Sequence, residues 1–208
     1  MMVTRRTILA AAMAVVLIGT DLPSLAANDL ESDAKTFIES LADKAINSLT
    51  KTTIPRAQRV DNFRRLFNEN FAVAAIGQWV LGRHWRGASS AERKQYLALF
   101  EDLMIVTYVD RFSNYAGDSI KVGKVLPNNK NTATVFSIIP PQASDGNSVR
   151  VDWRVTQRSD EFKVIDVVVE GTSMSTTLRS EFSSVIRREG NSVAGLLKVI
   201  KKKTDSLK

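Results

Sequence analysis

Residues 89–115 read SSAERKQYLALFEDLMIVTYVDRFSNY, and the rest of the chain is arranged around them. Ser89 and Glu92 have the Ser-x-x-Glu spacing of a capping box, which predicts a helix start. Tyr96, Leu97, Phe100, Leu103, Met104, Thr107, Tyr108 and Phe112 then recur at three- and four-residue steps, the period of one helix face. Up to Asp102 the other face is charged. From Leu103 to Val109 almost every residue is apolar, so this half must be covered on more than one side. Glu101, Asp102, Asp110 and Arg111 bracket the run, and it is too short to span a bilayer. Two readings fit: a central core helix, or a helix with one side lining an apolar cavity. Periodicity does not separate them.

On the N-terminal side, Leu30, Ala34, Phe37, Ile38, Leu41, Ala45 and Leu49 predict a first amphipathic helix. Pro55 suits the first turn of a second, with Val60, Phe63, Leu66 and Phe67 as its apolar positions. Phe71 to Leu81 is a third helical stretch. Gly82 is a helix stop, and Arg83-His84-Trp85-Arg86 forms a basic-aromatic loop before the long helix.

After Gly117 the period changes to that of strands. Ile120, Val122 and Val125 begin a weak one, and Thr132 to Ile139 is stronger, closed by Pro140-Pro141. Asp145-Gly146 lies in a turn. Val149, Val151, Trp153 and Val155 alternate with Arg150, Asp152, Arg154 and Thr156, the pattern of a half-exposed strand. Ser159-Asp160 turns the chain into a last strand from Phe162 to Glu170, with Ile165, Val167 and Val169 on one face. Short connections make these strands antiparallel neighbours. Two closing helices follow, on Leu178, Phe182, Val185 and Ile186 and on Val193, Leu196, Leu197 and Ile200. The fold class expected is α+β: a four-stranded antiparallel sheet with helices packed on one face.

The chain has 208 residues, no cysteine and a formal net charge of +7. Residues 1–26 read as a secretory signal peptide: Arg5 and Arg6, an apolar run from Thr7 to Gly19, and a small-x-small site at Ser24-Leu25-Ala26. The arginine pair also has a twin-arginine flavour, with general export preferred. Residues 27–208 are then one domain. Because the leader carries Arg5 and Arg6 against Asp21, the remaining 182 residues keep a net charge of +6. An exported chain without disulfides must rely on its apolar core. A basic balance there points to anionic membrane surfaces or acidic partner proteins rather than nucleic acid.

Catalytic chemistry finds little to use. Nucleophilic catalysis needs a nucleophile with a base, yet cysteine is absent and His84 is the sole histidine. Metal sites draw on several His or Cys ligands, and no glycine-rich phosphate loop is present. Asp152, Asp166 and Glu170 are candidates for a buried acid/base set in a cone-shaped enzyme. The strand alternation places Asp152 and Asp166 out of phase with the apolar face, as solvated residues. Glu170 reads as a structural hydrogen-bonding group toward Thr172 and Ser173. No catalytic residue, metal site or cofactor is assigned.

Several motifs in order resemble one family. Val80-Leu81-Gly82-Arg83, Trp85-Arg86, and Ala88-Ser89 with the long helix to Tyr115 are followed by Val151-Asp152-Trp153-Arg154 and Ile165-Asp166. Glu170-Gly171-Thr172-Ser173 and Arg179-Ser180-Glu181-Phe182 complete the set. Together they resemble the MlaC family, the toluene-tolerance auxiliary proteins of Gram-negative bacteria, across nearly all of residues 27–208. Three positions depart from the pattern: His84 where the family usually has Tyr, Gln78 where many members are basic, and Leu178 where a polar residue is common. They bear on partner or headgroup preference more than on lipid binding.

The resemblance implies a periplasmic phospholipid carrier. Its partners would be an inner-membrane ABC transporter with an MlaD-like component and an outer-membrane MlaA-like lipoprotein complex, the cargo a phospholipid, and the outcome outer-membrane lipid asymmetry. Acyl chains would lie between sheet and helices. Helix and strand phase, taken with the family's ligand position, nominate Trp79, Val80, Phe100, Leu103, Met104, Val106, Tyr108, Phe112, Val151, Trp153, Val155, Val167 and Val169 as cavity wall. Arg83, Arg86, Arg150 and Arg154 are nominated for partner docking. The alternatives are a carrier of another lipid, such as a hopanoid-related molecule, and a small cone-fold enzyme acting on an apolar substrate.

Overall fold

The computed structural model describes residues 25–208 apart from 52, 114–118, 142–145 and 160, with side chains from 29 onward other than those of 112 and 113. The leader up to Ser24, the Phe112 side chain, Tyr115, and the turn positions Asp145 and Asp160 lie outside the described residues. Among those described, no helix is long and apolar enough to cross a membrane.

The long helix forms as α5, Ser90–Ser113. Its capping box is made: the Ser89 backbone N–H donates to Glu92 Oε2 at 2.8 Å, and the Glu92 N–H donates to Ser89 Oγ at 3.2 Å. The Ser89 N–H bond, joined by one from Ser89 Oγ at 2.8 Å, holds the Glu92 carboxyl below its ordinary pKa. Ahead of it come α1 (Leu25–Ala45), which ends in a π turn over Ile46–Thr50, α2 (Arg56–Asn70) and α3 (Val73–Leu81). The expected basic-aromatic loop contains a single helical turn, α4, His84–Gly87. Pro55 is the N-cap residue of α2, where its missing N–H costs nothing.

The sheet is a meander of β1 (Lys121–Asn129), β2 (Thr132–Ile139), β3 (Val149–Arg158), β4 (Glu161–Val169) and β5 (Thr172–Ser173). All its pairings are antiparallel. It therefore has five strands, not four. β5 spans two residues, too few to show any alternation. Glu170 and Gly171, at φ 48° and 78°, turn the chain between Val169 and Thr172. Positive φ at both central residues is the two-residue hairpin geometry that matches strand twist. The chain closes with α6 (Met174–Arg188) and α7 (Val193–Leu207).

One register detail changes the expected pattern. Arg154 opposes Asp166, and Val155 opposes Val164, so Ile165 is the extra residue of a bulge. A bulge shifts the phase of everything after it. Val164 thus joins the helix-facing core with Val155, and Ile165 does not share the face of Val167 and Val169.

The apolar all-round half of α5 is explained by what surrounds it. Leu103, Met104, Ile105 and Val106 are four consecutive buried residues. Phe63 and Phe67 of α2, Phe182 and Ile186 of α6, and Leu196, Leu197 and Ile200 of α7 share one core with it. Phe182 stands edge-on to both Tyr96 and Phe100, with centroids 6.2 and 6.4 Å apart. The charged half is tied to α2, where Arg64 donates to Glu101 at 2.7 Å and to Asp102 at 2.8 Å. A second core lies under α1, where Ala34, Ile38 and Leu41 meet Ala133, Val135, Val155 and Val164.

Candidate functional site

Between these two cores the packing is incomplete. An apolar cavity of ≈ 280 Å³ lies between the sheet and the helices. Its helical wall is Phe63 and Phe67 of α2, Ile76 of α3, Phe100, Met104 and Tyr108 of α5, and Met174, Ser175 and Leu178 of α6. Its sheet wall is Ile139, Val151, Trp153, Asp166, Val167 and Val169, with Phe71 and Ile120 at the ends of connections.

Register builds the sheet wall. Val151 opposes Val169 and Trp153 opposes Val167, so two neighbouring cross-strand pairs point their side chains to the same side. The Trp153 indole N–H donates to Ser137 Oγ at 3.0 Å, and that hydroxyl donates to the Val151 carbonyl at 2.8 Å. The one polar atom of Trp153 is thereby tied into the sheet, and its ring is left as apolar wall. On the helix side, the rings of Phe63, Phe67 and Phe71 follow one another in tilted contact, with centroids 6.1 and 5.0 Å apart. Burial raises the Tyr108 pKa, and the Arg111 guanidinium lies 5.3 Å from the centre of its ring.

Of the residues nominated from sequence, Phe100, Met104, Tyr108, Val151, Trp153, Val167 and Val169 line this cavity. The others are elsewhere. Val80 and Leu103 are packed into the solid helical core, Val155 lies in the core under α1, and Val106 is buried away from the cavity. Trp79 is 45% exposed and lies outside the cavity. Arg179 packs its guanidinium 4.7 Å from the centre of the Trp79 ring and donates to the Trp79 carbonyl at 3.1 Å. The phenylalanines at 63, 67 and 71 were not nominated. Their signal was present, a three-ring stripe at four-residue steps.

The acidic candidates behave differently from their expected solvated state. Asp152 is buried, and Arg150 grips it through Nε at 2.9 Å and Nη2 at 2.8 Å. Asp166 is 6% exposed and accepts four bonds. Ser175 N–H (3.1 Å) and Oγ (2.7 Å) donate to Oδ1, and Ser173 Oγ (2.7 Å) and Arg154 Nη1 (3.1 Å) to Oδ2. It fastens the start of α6 to β4, and its lone pairs are engaged in doing so. Glu170 accepts from the Arg150 backbone N–H rather than from Thr172 or Ser173. His84 has its pKa lowered by burial and then by Arg83 and Arg187. No group of His, Cys, Asp and Glu fit to hold a metal occurs among the described residues. Of the four docking candidates, Arg83 and Arg86 are exposed, and Arg150 and Arg154 each carry an ion pair to a buried aspartate.

Comparison with known proteins agrees with this architecture. The fold is similar to that of a phospholipid-binding protein from Ralstonia solanacearum solved in complex with a phospholipid, with a TM-score of 0.70 at 21% identity, covering 86% of this chain and 98% of that one. The sequence is 22% identical over 167 residues to the intermembrane phospholipid transport system binding protein MlaC of Haemophilus influenzae, covering 77% of this chain and 78% of the relative. The MlaC protein family model matches residues 39–202, a span that takes in α2 to α6, the whole sheet and every residue of the cavity wall, so the chain belongs to the MlaC family.

Proposed function

We propose that this protein is a periplasmic phospholipid-binding shuttle, exchanging lipid with an inner-membrane ABC transporter complex and an outer-membrane lipoprotein complex. The supporting observation is the apolar cavity between sheet and helices, walled by aromatic and aliphatic side chains from four helices and three strands. Its two polar side chains beyond Tyr108 and Trp153 are Ser175 and Asp166, already bonded to each other. A buried acid whose lone pairs are engaged is poorly placed to move protons, which disfavours the cone-fold enzyme.

The energetics suit a carrier. Moving a methylene from an apolar site into water costs ~0.8 kcal/mol, so a lipid with roughly 30 methylenes would need about 24 kcal/mol to leave into solution. Release therefore requires an apolar acceptor, and transfer from pocket to membrane can be nearly neutral. Direction then comes from the partners, with no nucleotide site needed on this chain.

Native mass spectrometry of the protein purified from its host is the direct test. The expected result is a near-stoichiometric adduct with the mass of a diacyl phospholipid. An adduct of another lipid class would change the cargo. Apo protein that takes up no phospholipid from vesicles would remove the carrier reading.

A further inference from the structure

A second space adjoins the cavity. A groove of ≈ 300 Å³ runs between α3, the bulged part of β4 and the start of α6, lined by Ala75, Ile76, Trp79, Arg154, Ile165, Asp166, Ser175 and Thr176. Ile76, Asp166 and Ser175 line both spaces, so an apolar chamber and a more polar groove meet along these three residues. Asp166 borders both because Ser173 and Ser175, at the start of α6, fasten over it.

The chemistry of the two spaces differs. The chamber's formal charge is limited to Asp166. The groove adds Arg154, and Arg179 caps Trp79 on its rim, giving two guanidinium groups against one carboxylate. Arg154 gives Nη1 to Asp166, its side chain is 53% exposed, and a guanidinium has five N–H donors in a fork suited to phosphate oxygens. Arg179 is held by its bond to the Trp79 carbonyl and by Gly82. At φ 58°, a Cβ on Gly82 would lie 3.0 Å from the guanidinium carbon.

Polarity points the same way. A phosphate ester is costly to bury among apolar walls, so the polar end of a lipid seated in the chamber lies outside it, and the groove is the adjoining space with cationic lining.

We infer that this groove is the seat of the lipid's phosphate ester, with Arg154 as the group contacting the phosphate and the Trp79–Arg179 pair as its rim. The inference rests on the carrier reading above and assigns which end of the cargo lies where. Arg154 then recognises cargo rather than serving partner docking alone.

The test compares two probes offered in vesicles to delipidated protein: dioleoyl phosphatidylglycerol, and dioleoylglycerol, which has the same chains without the phosphate. Ala75→Trp fills the groove from an exposed helix position, and Arg154→Gln removes the charge. Each is expected to weaken phosphatidylglycerol uptake by about tenfold, the loss of one hydrogen bond to a charged group, while dioleoylglycerol uptake stays within about twofold. Arg154→Lys should recover part of the loss. Equal loss of both probes, or loss of neither, overturns the assignment and leaves the carrier intact. Wild-type protein that takes up neither probe overturns the carrier reading with it. Tight binding of glycerol 3-phosphate alone, read by calorimetry, would make the groove a site for a soluble phosphate ester and also overturn the assignment.

Discussion

Tyr96 carries one of the few polar groups inside the helical core. Its side chain is fully buried, and its hydroxyl donates to the Gly77 carbonyl at 2.9 Å. That bond joins α5 to α3 where Gly77 packs closely against Leu97 and Phe100. Tyr96→Phe removes a second donor from a carbonyl that lies within α3 and is expected to cost about 0.5–1.5 kcal/mol in urea unfolding. Burial also drives the Tyr96 pKa far above its ordinary value. The folded state keeps the proton that the unfolded state releases above about pH 10, so stability is full below that pH and is lost as pH rises beyond it. The same substitution should therefore flatten the alkaline fall in stability, measured by urea unfolding from pH 8 to 11. Asp166, on β4, is another buried polar residue. Asp166→Ala strands two serine hydroxyls, a backbone N–H and an arginine, and should destabilise by about 2–3 kcal/mol, with Arg154 losing less because it is half in solvent.

At the scale of elements, α5 separates the two readings that its sequence left open. It is both core helix and cavity wall, on different faces. Leu103 and Met104 are adjacent and equally apolar, yet Met104 faces the cavity and Leu103 the solid core. A photoreactive residue at position 104 is expected to label bound lipid, and one at 103 to label protein. Equal lipid labelling at both would mean the helix is rotated from this orientation. The capping box at its start is exposed and separable from the cavity, so Ser89→Ala should cost about 1 kcal/mol of stability without changing lipid content.

For the whole molecule, loading and docking are the properties to measure. Anything that binds the folded chain stabilises it by mass action, about 2.7 kcal/mol for a ligand at 100 times its dissociation constant. At this chain length that corresponds to roughly 5–11 °C in Tm between delipidated and loaded protein. Docking by charge predicts a different signature. Arg83 and Arg86 are exposed and follow Trp79 closely in sequence, and complementary charge accelerates encounter more than it tightens complexes. Reversing both to Glu is expected to slow phospholipid transfer to the partner complexes while leaving bound lipid in place. Wild-type transfer should itself slow with salt, as the screening length falls from ~10 Å at 0.1 M to ~3 Å at 1 M. Salt-independent transfer with unchanged rates would leave these arginines as solubilising groups.

What the sequence determined by itself is local. The Ser89–Glu92 box, Pro55 and Gly82 at φ 58° set helix limits through backbone chemistry that needs no partner. Strict alternation from Val149 to Thr156 set β3 in the same way, and its inward residues Val151 and Trp153 reached the cavity. Tertiary structure decided what depends on chain segments far apart. The bulge at Ile165 follows from how β4 registers against β3, and it moved Ile165 off the face of Val167 and Val169 and brought Val164 into the core. Asp166 kept its phase, and the start of α6, bonded to it through Ser173 and Ser175, covers an aspartate that alternation alone leaves in solvent. Whether an apolar residue meets solid core or empty space depends on what lies opposite it. Val80 and Met104 are alike in sequence pattern, but Val80 meets packed helices and Met104 meets a gap between helix and sheet. Hydrophobic period reports that a face is covered, and only the arrangement of the covering elements fixes the volume left between them.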